Sequence, residues 1–111
     1  MHLNRLQKLL DFLENEPGDP FLKYALATEY VNSNQAEKAL FYYEDLVSNH
    51  PDYVGTYYHL GKLYEALGRK DEAIQIYQKG MLVARKCNDM HAFSELQAVY
   101  NSATGQDYED D

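Results

Sequence analysis

The chain repeats itself at a spacing of 34 residues, and this period limits the folds that it can adopt. A shift of 34 places small residues on small ones and large apolar residues on large ones. The matched pairs are Pro17 with Pro51, Leu26 with Leu60, Ala27 with Gly61, Tyr30 with Tyr64, Ala39 with Ala73, Leu40 with Ile74, and Tyr43 with Tyr77. Such a period is typical of stacked copies of one small unit, because a single unit cannot bury its apolar face alone.

Within each unit the apolar residues recur with the period of an α-helix. The leading stripe consists of Leu3, Leu6, Leu9, Leu10 and Leu13. Segments rich in Pro, Gly, Asn and Asp divide the rest of the chain, because these residues stop helices or cap them. The breaks fall at about 16–20, 32–34, 50–52, 68 and 88–89. The pattern therefore predicts an all-α fold of about six helices paired as antiparallel hairpins. An unrelated helical bundle, the alternative, would show no 34-residue period.

These breaks also predict how the chain is organised. We expect one domain over 1–105 and an acidic, disordered tail over 106–111. Within the domain, the pattern predicts a leading helix at 3–16, repeat one at 20–50, repeat two at 53–87 and a capping helix at 89–103.

Several residues beside the breaks are suited to helix ends. Asp19 before Pro20 is a good cap and first residue for a helix, because proline lacks the N–H that would be unpaired there. Asn88-Asp89 predicts a second break and cap, and Gly68 suits a left-handed residue after a helix. Glu37 is placed to cap the third helix reciprocally.

The matched pairs predict how the helices pack. Small residues at Ala27/Gly61 and Ala39/Ala73 would let the two helices of a hairpin approach closely. Large rings at Tyr30/Tyr64 and Tyr43/Tyr77 would fill the space between successive hairpins.

One stretch carries a family signature. Tyr57-x2-Leu60-Gly61-x2-Tyr64, followed by Gly68, Ala73 and Tyr77, resembles the tetratricopeptide repeat. The first copy differs by having Lys23 at the place of a large aromatic residue, and the second has Arg85 at the place of the closing proline. The resemblance implies a short right-handed solenoid, similar to small stand-alone bacterial proteins of this family.

The two ends of the chain resemble partial repeats. A shift of 36 from the second copy places Phe93, Leu96 and Tyr100 on its signature, which indicates a half repeat acting as a cap. A shift of 34 places Leu9 under Tyr43 and Phe12 under Leu46, although Arg5 replaces the small alanine. The leading helix thus resembles the second helix of a truncated repeat.

Charge and composition exclude some classes of partner. The chain has 18 acidic and 10 basic residues, a formal charge of -8, and 4 of the acids lie in residues 101–111. We expect no binding to nucleic acid or to an anionic membrane, because both require a basic surface. The lone Cys87 and the lack of a long apolar stretch predict a cytoplasmic protein. The acidic tail is interpreted as a solubilising terminus, with a role as intramolecular competitor or docking segment as the alternative.

No motif for catalysis is present in the sequence. The histidines do not form a His-Glu-x-x-His pair, and a metal site would require His59 and His91 to meet across helices. Cys87 is interpreted as a packed or half-exposed thiol. The glycines do not form a phosphate-binding loop. We therefore expect no enzyme activity, no cofactor and no metal.

The resemblance implies where a partner would bind. In the family, the first helix of each hairpin lines a concave groove that takes peptides. The corresponding candidates here are Phe21, Tyr24, Thr28, Tyr58, His59, Lys62 and Glu65, with His91, Ser94 and Ala98 on the sixth helix. The family's Lys-Asn clamp for terminal carboxylates is essentially absent. The sequence leaves open an alternative for Tyr24 and Tyr58, in which the two rings pack against each other and do not contact a partner.

We therefore expect a non-enzymatic module that binds a protein or peptide in this groove. The alternative function is structural self-association through open ends, as a homodimer or a subunit of a larger assembly. The leading and capping helices favour a monomer.

Overall fold

The computed structural model describes residues 2–105, and it describes side chains from Arg5 onward. These residues form six α-helices and no strand, so the all-α prediction is confirmed. The helices are α1 (His2–Asn15), α2 (Pro20–Asn32), α3 (Ala36–Asn49), α4 (Gly55–Ala66), α5 (Lys70–Lys86) and α6 (Met90–Thr104). No helix in this part of the chain is long and apolar enough to cross a membrane. The tail predicted at 106–111 lies outside the described residues.

The chain divides between Tyr53 and Val54 into two units. The first contains α1, α2 and α3, and the second contains α4, α5 and α6. In each unit the largest contact joins consecutive helices, α2 with α3 and α5 with α4 and α6. The single domain over 1–105 stays a prediction.

Capping residues set the helix ends. The Asp19 carboxylate accepts hydrogen bonds from the backbone N–H groups of Phe21 and Leu22, at 2.9 and 3.4 Å, and Pro20 begins α2. The Asp89 carboxylate accepts from the N–H of Ala92 at 3.1 Å. Gly68 adopts a φ of 77°, the left-handed conformation in which a side chain would be strained.

The reciprocal cap expected from Glu37 is not formed, and this prediction was wrong. The residue that precedes α3 is Gln35, and its side chain makes no capping hydrogen bond. Its amide instead donates to the Ser33 hydroxyl at 3.1 Å, within the turn that joins α2 to α3.

A small residue lets the two helices of the second hairpin approach closely. A Cβ added to Gly61 on α4 would lie 2.1 Å from the ring of Tyr77 on α5. A second close approach occurs at Gly80, where an added Cβ would lie 2.5 Å from the Cβ of Tyr57. The equivalent small residue of the first unit, Ala27 on α2, is fully buried.

The rings of Tyr43 and Tyr77 each contact the partner helix of their own hairpin, and the expectation that they fill the space between successive hairpins stays a prediction. The Tyr43 ring lies 6.2 Å from that of Tyr24, and the Tyr77 ring lies against Gly61. Each of these contacts is to the partner helix of the same hairpin. At Tyr77 the physical reason is that Gly61 has no side chain, which leaves room for the ring.

Replacing Gly61 with Ala is expected to destabilise the protein by about 1–3 kcal/mol, because the added Cβ would overlap the Tyr77 ring. This loss would outweigh the gain of up to about 1 kcal/mol in helix propensity. Urea unfolding measures the change. Gly18→Ala is the matched control, since no atom lies within 4 Å of its added Cβ. Equal stability of the two variants would contradict the close packing.

Thr56→Val is expected to raise the free energy of unfolding by about 1 kcal/mol. The Thr56 hydroxyl is buried without a hydrogen-bond partner, and valine has nearly the same shape without the hydroxyl. Thr56→Ser keeps the hydroxyl and removes the methyl group, so this variant should be less stable than the wild type. Urea unfolding of all three proteins tests the prediction, and a less stable valine variant would refute it.

Candidate binding surface

The predicted site residues of the first unit lie on α2. Phe21 belongs to the first helical turn and is 60% exposed. Tyr24, one turn further, is half-buried, and its ring centroid lies 6.2 Å from that of Tyr43 and 5.6 Å from that of Tyr53. The structure thus places an exposed aromatic ring one helical turn from a supported one.

Thr28 holds this cluster in place. Its hydroxyl donates to the backbone oxygen of Tyr24 at 3.1 Å and lies 3.2 Å from the hydroxyl of Tyr43. The side chain is half-buried. The Thr28 hydroxyl therefore takes part in the packing of the hairpin.

Sequence reasoning missed Tyr53 as part of this cluster. Tyr53 follows α3 in the turn that begins at Pro51, and its N–H donates to the oxygen of His50 at 3.0 Å. A cavity of about 340 Å³ lies beside it, lined also by Pro20 and Asp52. The signal available in the sequence was an aromatic residue directly after the Pro-Asp break.

The candidates of the second unit lie on α4. Tyr58 is half-buried, and its ring centroid lies 5.5 Å from that of His59. His59 and Lys62 are exposed. Glu65 is half-buried and accepts a hydrogen bond from the Tyr77 hydroxyl at 2.5 Å, so its carboxylate takes part in the packing of α5 on α4.

The carboxylate of Glu95 interacts with two histidines, His59 and His91. Partial desolvation lowers the pKa of His59, and the charge of Glu95 opposes this shift. His91 Nε2 lies 3.2 Å from Glu95 Oε2 on α6. Among the described residues, no three His, Cys, Asp or Glu side chains are grouped to hold a metal ion. Cys87, at the end of α5, is exposed.

Burial raises the pKa of several tyrosines above the ordinary value near 10. The strongest shift is that of Tyr77, whose pKa is raised by desolvation and then by its hydrogen bond to Glu65. Desolvation is also the largest cause for the others, which are Tyr24, Tyr42, Tyr43 and Tyr53.

We expect stability to fall at alkaline pH for this reason. The folded state disfavours tyrosinate, so the stabilisation is complete below about pH 10 and is lost as the pH rises above the pKa of the unfolded tyrosines. Tyr77→Phe should lower the free energy of unfolding by about 1.5 kcal/mol near pH 7 and reduce the alkaline loss. Urea unfolding from about pH 8 to about pH 11 measures both.

Tyr43→Phe is the matched comparison for this variant. It removes a hydrogen bond to a neutral hydroxyl rather than to a carboxylate, so its cost should be smaller, about 0.5–1 kcal/mol. An equal or smaller cost for Tyr77→Phe would contradict the role given to Glu65.

Comparison with known proteins identifies the family. The tetratricopeptide repeat model matches residues 30–98. A tetratricopeptide repeat domain protein from Salinibacter ruber is 52% identical, and its crystal structure has a TM-score of 0.75, covering 78% of this chain and 97% of that one. Its solution structure has a TM-score of 0.78, covering 80% and 90%.

Two further proteins are similar to this chain. A solution structure of a Bordetella parapertussis protein has a TM-score of 0.78 at 22% identity, covers 95% of this chain and 91% of that one, and shares the fold. A TPR repeat-containing protein of Methanocaldococcus jannaschii is 34% identical over 84 residues, which is 76% of this chain and 26% of that protein. This chain thus spans about a quarter of that relative's length. Proteins with this fold generally mediate contacts between proteins, and the match over residues 30–98 shows that this chain belongs to the tetratricopeptide repeat family.

Proposed function

We propose that this protein is a non-enzymatic interaction module that binds an extended segment or a helix of a partner protein. The candidate surfaces are the exposed face of α2 in the first unit and the exposed face of α4 in the second, the first helices of the two hairpins. Binding of this kind uses preformed helices and involves no chemical step.

The observation that carries the proposal is the aromatic cluster on α2. Phe21 is 60% exposed, and the ring of Tyr24, one turn further, contacts the rings of Tyr43 and Tyr53. Supported aromatic rings give a partner a large contact area at a low cost in side-chain entropy. In this proposal Phe21 and Tyr24 contact the partner, and Thr28 positions Tyr24.

The face of α4 would supply polar contacts. Tyr58 offers a half-buried ring, while the exposed His59 and Lys62 offer donors to backbone carbonyls or carboxylates of the partner. Glu65 is engaged by Tyr77, so we assign it to positioning α5 rather than to direct contact.

A peptide selected from a random display library on the immobilised chain provides the test. Calorimetry would then compare its affinity for the wild type and three variants: Phe21→Ala, Tyr58→Ala and Lys62→Glu. We expect Phe21→Ala to weaken binding about 5- to 30-fold, the effect of losing about 1–2 kcal/mol at an aromatic anchor.

Phe41→Ala is the matched control, because Phe41 is an aromatic residue of similar exposure, 65%, on α3. It should bind the peptide as the wild type does, and circular dichroism should show that all variants are folded. Unchanged affinity in the three α2 and α4 variants, or a loss in Phe41→Ala alone, would refute the assignment of the surface.

A further inference from the structure

Helix α1 has the sequence of the second helix of a hairpin. Besides the matches already described, a shift of 34 places Leu6 on Leu40, Asp11 on Asp45 and Asn15 on Asn49. The corresponding helix, α3, buries Leu46 completely, whereas Phe12 at the matching position is 57% exposed. The side of α1 that carries Phe12 is therefore open.

Helix α6 has the complementary pattern, that of a first helix. Phe93 corresponds to Tyr57 and Gln97 to Gly61 by the shift of 36. Helix α5 packs on α4, and Tyr57 and Gly61 of α4 are buried. On α6, by contrast, Phe93 is half-exposed and Gln97 is exposed. A groove of about 420 Å³ lies between α5 and α6 beside Phe93, and it is lined by Gln78, Met81, Leu82, Arg85 and Phe93.

We propose that the open face of α6 binds α1 of a second copy of this chain, so that the two half repeats complete one hairpin. The apolar part of the contact joins Phe12 of one copy to Phe93 and Leu82 of the other. Leu82 is 70% exposed in the groove. This surface differs from the faces of α2 and α4 to which partner binding is assigned, so either proposal can fail without the other.

The sizes of the matched side chains support this pairing. In the second hairpin Gly61 faces the large ring of Tyr77. In the proposed pair the first helix carries the larger Gln97, and the second helix carries the smaller Leu9 in place of tyrosine. Arg5, at the place of a small alanine, is bonded to Glu29 on α2, with Nε and Oε2 2.7 Å apart.

The charges are also complementary. In the first hairpin Lys23 on α2 pairs with Asp45 on α3, with the charged atoms 2.6 Å apart. By the same shifts, Phe93 on α6 corresponds to Lys23, and Asp11 on α1 corresponds to Asp45. The guanidinium of Arg85 lies over the Phe93 ring, 4.8 Å from its centroid. Asp11 of the second copy would therefore meet a cation where Asp45 meets one.

The two faces belong to different helices, so the contact is heterologous and successive copies can add to a chain. The contact joins one helix of one copy to a hairpin of the next, and each copy carries a charge of -8, so the copies repel each other. We therefore expect weak association, with dissociation constants of about 10 µM to 1 mM.

Analytical ultracentrifugation of the full chain over this concentration range is the test. The mean mass of the wild type should rise with concentration and pass that of a dimer. Phe12→Glu and Leu82→Glu should each weaken association at least about tenfold, as expected for a charge placed in an apolar contact. An equimolar mixture of the two variants keeps one intact face of each kind, so it should form a dimer that does not extend.

Phe41→Glu is the matched control and should associate as the wild type does, and circular dichroism checks that each variant is folded. Asp11→Arg and Arg85→Asp give a second test, since each alone should weaken association and the two combined in one chain should restore it. A monomeric wild type at about 1 mM, a mixture of Phe12→Glu and Leu82→Glu that stays monomeric, or a combined charge variant that is not restored would overturn the proposal.

Discussion

The close approach of paired helices is the constraint on which each hairpin depends. In the second unit, α4 and α5 approach so closely at Gly61 that a single added carbon would overlap Tyr77. A second close approach occurs at Gly80, where an added Cβ would lie 2.5 Å from Tyr57 and 3.1 Å from Leu96 of α6. One small residue thus determines where a large ring lies, and that ring determines the distance between the helices.

This packing also determines which polar groups are available to a partner. The rings that fill the hairpins carry hydroxyl groups, and these groups need hydrogen-bond partners where they are buried. The Tyr43 hydroxyl forms a hydrogen bond with the Thr28 hydroxyl, and the Tyr77 hydroxyl donates to the Glu65 carboxylate. Two residues that sequence spacing placed on the binding face are therefore also part of the hairpin packing. The exposed ring of Phe21 and the exposed Lys62 are not bound by this requirement.

Local signals predicted much of the fold. The Asp19 and Asp89 caps and the left-handed Gly68 depend on a few neighbouring residues, so the sequence alone was sufficient to predict them. The position of Tyr53 beside Tyr24 was not predicted, because it depends on the path of the turn after α3. The Glu37 cap failed because the backbone N–H groups before α3 already have partners: that of Asn34 donates to the oxygen of Val31, and that of Gln35 donates to the oxygen of Tyr30.

The sequence by itself determined the helical repeat, because the 34-residue period of small and aromatic residues is present in the order of the residues before any contact forms. It also determined which residues could share a helix face, since helical spacing alone sets this. Only the tertiary structure decided which of those residues make contacts inside the hairpins. Thr28 and Glu65 bond to tyrosines from another helix, and such contacts between helices have no local signature in the sequence.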